Sequence, residues 1–152
     1  APLFRDLVVP LASPLNIARL ADCEPASRLE GFPLLHCDLY RNDPAGLSWP
    51  DWVRRHGIHR SAPERGMRFQ RAVAALDAVA ADAGLTLCGV ALAAPALEKG
   101  SVALAWPASM GLVSGIPLSV RCSSGAAPHV KRFRAWLVEE GAKTEDWIAA
   151  QA

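Results

Sequence analysis

Runs of apolar residues, separated by turn-forming residues, divide the chain into short strands and amphipathic helices. The most regular stretch is residues 65–93, with the sequence RGMRFQRAVAALDAVAADAGLTLCGVALA. It predicts a short strand ending at Phe69, an alanine-rich helix over 70–83 and a fully apolar strand over 85–93. Four apolar residues spaced as on one helix face form the stripe expected to contact a sheet: Val73, Leu76, Ala80 and Ala83.

The same pattern predicts the remaining elements. Apolar runs indicate strands at RDLVVPLA (5–12), FPLLHC (32–37), SVALAW (101–106) and IPLSVRC (116–122). Two longer helices are expected at SWPDWVRRHG (48–57) and PHVKRFRAWLVEEG (128–141), each with a proline in its first turn and a glycine at its end. Shorter helices are expected near 26–30 and 94–100, and residues 143–152 form a weakly specified tail.

Strands alternate with helices through most of the chain. This order is typical of βα units, whose strands form a mostly parallel sheet covered by helices on both faces. The predicted fold class is therefore α/β.

The composition is that of a folded chain: 51% of its 152 residues are hydrophobic and 20% are charged. A formal net charge of +1 gives no overall attraction to nucleic acid or to an anionic membrane. No apolar run reaches the roughly 20 residues of a membrane span, so no membrane partner is expected. The four cysteines are widely spread and lack zinc spacing, which favours reduced structural thiols in a cytoplasmic protein.

Candidate chemistry is sparse. His36 and Cys37 are adjacent in a predicted strand, so their side chains point to opposite faces and cannot form a nucleophile–base pair. Gly57 interrupts the segment between His56 and His59, which favours an exposed basic turn over a metal site, with a weak anion site as the alternative. We therefore predict no catalytic residue, no metal ligand and no cofactor.

The turn from the strand ending at Phe69 into the next helix is the most informative place. In open α/β sheets, ligands bind beyond the carboxyl ends of strands, where helix N-termini present free N–H groups. Arg71 would add a guanidinium, so the turn could bind an anion. The alternative is that Arg71 points to solvent while Phe69 lies in the core, and both interpretations remain open at this point.

Four segments of the sequence resemble the effector-binding domain of LysR-type transcriptional regulators. Residues 65–93 followed by APALEKGSVALAW match its strand–helix–strand unit and the short helix after it. FRDLVVPLASP matches the strand that crosses between lobes, and RLEGFPLLH followed by WPDWVRRHG matches a strand and a tryptophan-containing helix. PHVKRFRAWLVEE matches the closing helix. The segments occur in the family's order and cover about residues 4–140.

The resemblance implies two α/β lobes, as in periplasmic binding proteins, with an effector in the cleft between them. By this comparison residues 1–12 are a crossover strand, 13–105 a nearly complete second lobe, and 106–142 the return crossover with the last strand and helix of the first lobe. The tail would then be 143–152. The family's N-terminal helix-turn-helix and the opening of its first lobe have no counterpart in the sequence, so we expect DNA recognition to lie outside this chain.

The resemblance also implies a set of cleft residues: Leu35, His36, Asp38, Tyr40, Phe69, Gln70, Arg71, Gly115 and Ile116. An arginine at position 71 would narrow the pocket or select a negatively charged effector. The function expected from the resemblance is effector sensing and assembly into a homodimer or higher homo-oligomer, without catalysis. Two alternatives are a bilobal solute-binding protein and a small α/β enzyme that uses Cys88 or His36.

Overall fold

The computed structural model describes residues 2–151. Its strands and helices follow in the order β1 (Pro2–Phe4), β2 (Leu7–Ala12), α1 (Pro14–Ala21), β3 (Leu34–Cys37), α2 (Trp49–His56), β4 (Arg68–Phe69), α3 (Ala72–Ala80), β5 (Leu85–Gly89), α4 (Val90–Lys99), β6 (Ala103–Leu104), β7 (Leu112–Val113), β8 (Leu118–Ser119) and α5 (Pro128–Gln151). Short 3-10 turns occur at Pro25–Gly31, Asp38–Tyr40 and Ala108–Met110.

The main sheet has the strand order β4-β3-β5-β2-β6, and β7 pairs with the start of β2. β3 is parallel to β4 and β5, whereas β2 is antiparallel to β5, β6 and β7. Every strand of this sheet except β2 therefore runs in one direction. The predicted α/β class is confirmed. The sheet is less parallel than expected, because β2 runs antiparallel to all its neighbours. β1 and β8 form a separate antiparallel pair that packs against α5.

Helices cover both faces of the main sheet. Successive residues of β2 point to opposite faces, so the neighbours of Val8 and Val9 show what covers each face. Val8 is fully buried in a cluster that includes Trp49 and Trp52 of α2. Val9 is fully buried in a second cluster, which includes Val79 of α3 and Val90 of α4. The sheet is thus the centre of a three-layer arrangement.

Helix α2 begins and ends where the sequence predicts. Ser48 caps it, with its hydroxyl accepting the N–H of Asp51 while the Asp51 side chain accepts from the Ser48 backbone. Gly57 follows with φ of 62°, a left-handed conformation that glycine adopts at little cost.

The segment after Ser13 differs from the prediction. No helix was predicted directly after the strand over 5–12, but Ser13 caps α1 and its Oγ accepts the N–H of Asn16 at 3.2 Å. Pro14 occupies the first helical position, where its missing N–H costs nothing. The same dipeptide ends one element and starts the next.

The predicted strand over 85–93 is too long, because β5 ends at Gly89 and α4 starts at Val90. The predicted helix over 70–83 is shorter in the structure, at Ala72–Ala80, and its buried face is different. Ala75, Leu76 and Val79 are buried, whereas Val73 is 66% exposed. Of the predicted stripe, only Leu76 is among the helix's buried residues.

The predictions for the end of the chain are also corrected. α5 continues through Gly141 to Gln151, so 143–152 is not a weakly specified tail. A Cβ placed on Gly141 would lie 2.9 Å from the Leu3 Cβ, so this glycine allows close packing of β1 on the helix and does not end it. The predicted strand over 116–122 is reduced to β8.

The proposed division into crossovers and lobes stays a prediction. Within residues 2–151, no helix combines the length and apolar character that crossing a membrane requires.

Candidate functional site

The carboxyl ends of β3 and β5 meet the two segments that connect the main sheet to the β1–β8 pair. Because β2 is antiparallel to β5, with Val8 opposite Gly89, its start lies at the end of β5. β7 pairs Val113 with Leu7, so the segment that follows β7 leaves from the same place. The Asp38–Tyr40 turn directly follows β3. This end of the sheet is where open α/β sheets bind ligands.

A cavity of about 500 Å³ opens at this place. We call it the crossover cavity, because both connecting segments contribute to its wall. Its lining consists of Phe4, Asp6, Leu39, Tyr40, Asp43, Ala91, Leu92, Ser114, Ile116, Pro117 and Leu118. Several of the apolar side chains in this set are about half exposed: Leu39, Leu92, Ile116 and Leu118.

Asp6 joins the first connecting segment to the N-terminus of α4. Its Oδ1 accepts the N–H groups of Leu7 at 2.8 Å and Ala91 at 3.0 Å, and its Oδ2 accepts that of Leu92 at 3.4 Å. The carboxylate therefore satisfies N–H groups that a helix start leaves without partners. Burial raises the pKa of Asp6, and the three N–H donors offset only part of that effect.

Tyr40 links the turn after β3 to the same helix start. Its hydroxyl accepts the N–H of Gly89 at 2.8 Å and lies 3.9 Å from the Cys88 Sγ. Burial raises the pKa of Tyr40 above its ordinary value and raises that of Cys88 to about 12. Both groups are therefore protonated at neutral pH.

Asp43 holds the second connecting segment. Its Oδ2 accepts the hydroxyl of Ser114 at 2.6 Å, and its Oδ1 accepts the N–H groups of Gly115 at 2.8 Å and Ala45 at 2.9 Å. Burial raises the pKa of Asp43, but these hydrogen bonds outweigh it and the pKa lies below the ordinary value. The guanidinium of Arg5 donates to the carbonyl oxygens of Ser114 at 3.1 Å and Gly115 at 2.5 Å.

A second cavity, of about 250 Å³, lies beside the end of β3. We call it the strand-end cavity, and its lining includes Leu35, His36, Cys37, Asp38, Tyr40, Arg41, Trp49, Glu64 and Arg68. Arg68 forms an ion pair with Asp38 at 3.2 Å. The His36 Nε2 is hydrogen-bonded to the carbonyl of Arg65 at 2.8 Å. Burial raises the pKa of the Cys37 thiol.

The structure places the predicted site residues in different surroundings. Tyr40 and Ile116 line the crossover cavity, and Gly115 lies beside it through its contact with Asp43. Leu35, His36, Asp38 and again Tyr40 line the strand-end cavity.

The predicted turn at the start of α3 lies outside both cavities. Phe69 is partly buried and packs on the cluster that contains Leu35, and Gln70 and Arg71 are exposed. Arg71 precedes α3 without a capping side-chain hydrogen bond. Neither Gln70 nor Arg71 lines the cavity that contains Ile116.

Sequence reasoning missed Asp6, Asp43 and Ser114. Asp6 could have been found from the sequence, because it places a charge inside an apolar run. The other two depend on a contact between residues 71 positions apart in the chain, which no local pattern reveals.

No group of three or more His, Cys, Asp or Glu side chains in residues 2–151 is arranged to hold a metal ion. The thiol of Cys88 is 1% exposed and hydrogen-bonded to Tyr40. His36 is engaged by a backbone carbonyl.

The family model described as the LysR substrate binding domain matches residues 1–142. The structure is similar to the effector domain of the transcriptional regulator AmpR of Pseudomonas aeruginosa, with a TM-score of 0.71 and 25% identity over 96% of this chain and 66% of that chain. It is also similar to the AmpR effector binding domain from Citrobacter freundii, with a TM-score of 0.67 and 23% identity over 94% of this chain and 67% of that one.

A third similar structure is the regulatory domain of CrgA, a LysR-type regulator from Neisseria meningitidis. Its TM-score is 0.57 and its identity 16%, over 92% of this chain and 67% of that chain. The chain thus spans about two thirds of the length of these three structures. No curated protein is a significant match to the sequence.

Proposed function

Because this chain belongs to the LysR substrate-binding domain family, we propose that it is the effector-sensing part of a LysR-type transcriptional regulator and that it binds a small molecule in the crossover cavity. The fold is the periplasmic-binding-protein-like α/β fold of such effector domains. DNA contact in the proposed regulator is made by an N-terminal helix-turn-helix that lies outside these residues, and the protein acts in the cytoplasm.

One observation carries the choice of cavity. The crossover cavity is bounded by the turn that follows β3, by the start of α4 and by both connecting segments, through Asp6 on one and Ser114 and Ile116 on the other. A molecule bound there contacts the turn after β3 and the start of α4 as well as the segments leading to the β1–β8 pair. Binding can therefore change the relative stability of two arrangements of these parts, which is what an effector must do.

Tyr40 and Ile116 are the predicted contacts that this proposal retains. Of the other predicted residues, Gly115 lies beside this cavity, and the rest line the smaller strand-end cavity or lie around the start of α3. All of them stay predictions. The negative charge expected for the effector depended on Arg71, which lies outside the crossover cavity.

Assembly with a second copy of the chain is the second part of the proposal. It is supported by large apolar side chains exposed on the first half of α5, among them Phe133 at 58% and Trp136 at 51%. Faces of this kind are enriched in contacts between subunits. Analytical ultracentrifugation of the chain and of Phe133→Ser tests this part, with a shift toward monomer expected in the variant.

A thermal-shift screen of a bacterial metabolite library, followed by calorimetry, tests effector binding. Leu92→Trp fills the rim of the crossover cavity, and Leu15→Trp on α1 is the matched control, since the two leucines are 49% and 47% exposed. We expect Leu92→Trp to weaken a binding hit at least tenfold and Leu15→Trp to leave it unchanged. Hits whose affinity is the same in both variants would contradict the assignment of this cavity.

A further inference from the structure

We propose that the crossover cavity selects an effector with an apolar body and a neutral or positively charged polar group, and that Asp6 sets this preference. The inference rests on the proposed function, because it names the ligand class of the same cavity. It follows from the charges, the hydrogen-bond donors and the apolar surface of the lining.

The charged side chains of the lining all carry one sign. Asp6 and Asp43 are carboxylates, and the other nine lining residues include no lysine, arginine or histidine. Arg5 is the neighbour of Asp6 in the chain, but its guanidinium Nη1 donates to the carbonyls of Ser114 and Gly115. A ligand carboxylate placed in the cavity would therefore face like charges at short range.

The start of α4, which would otherwise attract an anion, already carries the Asp6 carboxylate. A helix N-terminus favours negative charge, and α4, which starts beside the cavity, has ten residues. The Asp6 carboxylate takes that position by accepting the N–H groups of Ala91 and Leu92. A ligand anion would have to displace a side chain that belongs to the protein.

The hydroxyl groups of the lining are also engaged. Ser114 Oγ lies 2.6 Å from the Asp43 Oδ2 and 2.9 Å from the carbonyl of Ile116, both of which are acceptors. The Tyr40 hydroxyl accepts from Gly89 and donates toward the Cys88 sulfur. The lining thus has few donors to offer a ligand oxygen.

Acceptor capacity remains. An ionised carboxylate has about four lone-pair sites, and each of the two lining carboxylates accepts three hydrogen bonds from protein donors. A ligand ammonium or hydroxyl could use what is left. The half-exposed Leu39, Leu92, Ile116 and Leu118 provide the apolar surface for the rest of the molecule.

The test uses three probes with one apolar body: 4-phenylbutylamine, 4-phenylbutan-1-ol and 4-phenylbutyrate. Their affinities for the 152-residue chain are measured by calorimetry at pH 7.5 and low salt, where charge effects are least screened. We expect the amine to bind at least tenfold more tightly than the carboxylate, with the alcohol between them.

Three variants connect this order to the cavity. Asp6→Asn removes the charge and should reduce the amine-to-carboxylate ratio at least threefold, whereas Asp77→Asn on the exposed face of α3 should not change it. Leu92→Arg leaves Asp6 in place and adds a cation at a side chain that is 49% exposed, so it tests the charge preference without removing the Asp6 hydrogen bonds. It should shift the ratio of affinities toward the carboxylate.

Two failures are distinguishable. If the carboxylate binds as tightly as the amine, and Leu92→Trp weakens all three probes, the cavity is a ligand site but the charge preference is wrong. If none of the probes binds, or Leu92→Trp weakens none of them, the assignment of the cavity fails and the charge preference fails with it.

Discussion

The hydroxyl of Tyr40 accepts the backbone N–H of Gly89 at 2.8 Å, which joins the turn after β3 to the point where β5 becomes α4. The two residues are 49 positions apart in the chain. This hydrogen bond, together with those of Asp6, fixes the start of α4 at the wall of the crossover cavity.

Tyr40→Phe should destabilise the protein by about 1–2 kcal/mol, because it leaves the N–H of Gly89 without its acceptor in a partly buried place. Urea unfolding followed by circular dichroism measures the change. Leu39→Ala, at an adjacent side chain that is 56% exposed, is the control and should stay within about 0.5 kcal/mol of the parent. Equal effects of the two substitutions would contradict a specific role for the hydroxyl.

Tyr40 should also make stability decrease at alkaline pH. Its pKa in the folded protein is raised above the ordinary value of 10.0, so above that pH the unfolded chain loses the phenol proton first. Fewer protons are then bound in the unfolded state, and the free energy of unfolding falls as pH rises. Tyr40 is the only tyrosine in the sequence, so the phenolate absorbance should appear only as the protein unfolds. Tyr40→Phe should show a shallower decrease in stability over the same pH range.

Gly66 and Gly57 form a matched pair for testing backbone strain. Gly66 has φ of +136°, and a Cβ added there would lie 1.9 Å from the Leu34 carbonyl oxygen. Gly57 has φ of +62° and open space around the added atom. We expect Gly57→Ala to cost about 1–2 kcal/mol, from the left-handed conformation alone, and Gly66→Ala to cost about 4 kcal/mol or more.

Thermal denaturation of the two glycine variants in parallel gives the comparison. A similar loss in both would mean that the 65–67 segment moves away from β3 without difficulty.

The cysteines should differ widely in reactivity. Cys88 is 1% exposed and burial raises its pKa to about 12, so little thiolate is available and access requires opening of the fold. Cys23 and Cys122 are partly exposed. We expect Cys88 to be alkylated on the order of 100-fold more slowly than Cys122, as measured by mass spectrometry of iodoacetamide-treated protein. Rapid labelling of Cys88 in the folded protein would instead support the enzyme alternative.

Arg71→Ala should leave binding in the crossover cavity unchanged within about twofold. Its side chain is exposed and outside that lining, so its charge acts through solvent and is screened. Calorimetry with the three phenylbutyl probes measures this. A large loss of binding would return Arg71 to the site that the sequence predicted.

Local chemistry made some elements predictable. The limits of α2 follow from Ser48 and Gly57, whose roles depend only on neighbours in the chain. The limits of α4 and α5 could not be predicted in the same way. The start of α4 depends on Asp6, which accepts the N–H of Ala91 from 85 positions away, and Gly141 lies inside α5, where Leu3 packs closely on it.

The site shows the same division. Tyr40 lies between the strand predicted over 32–37 and the helix predicted over 48–57, just beyond the strand's carboxyl end, which is a sufficient reason to expect it at a ligand site. Asp43 lies in the same connection between strand and helix, but its importance comes from hydrogen bonds to Ser114 and Gly115 on a distant segment. The anion hypothesis rested on Arg71 and stays a prediction. The carboxylate of Asp6 at the start of α4 depends on a contact that no local pattern reveals.

The hydrogen bonds of Arg5 and Asp6 join different parts of the fold and constrain how the molecule can bend. Arg5 donates to carbonyls of the segment after β7 and Asp6 accepts from α4, while Asp43 holds that same segment to the loop after β3. Both connections are therefore clamped at their sheet-side ends. A hinge motion on the outer side of these clamps would also have to break the packing of Ile148, near the end of α5, in the cluster that contains Val90 and Ala93 of α4.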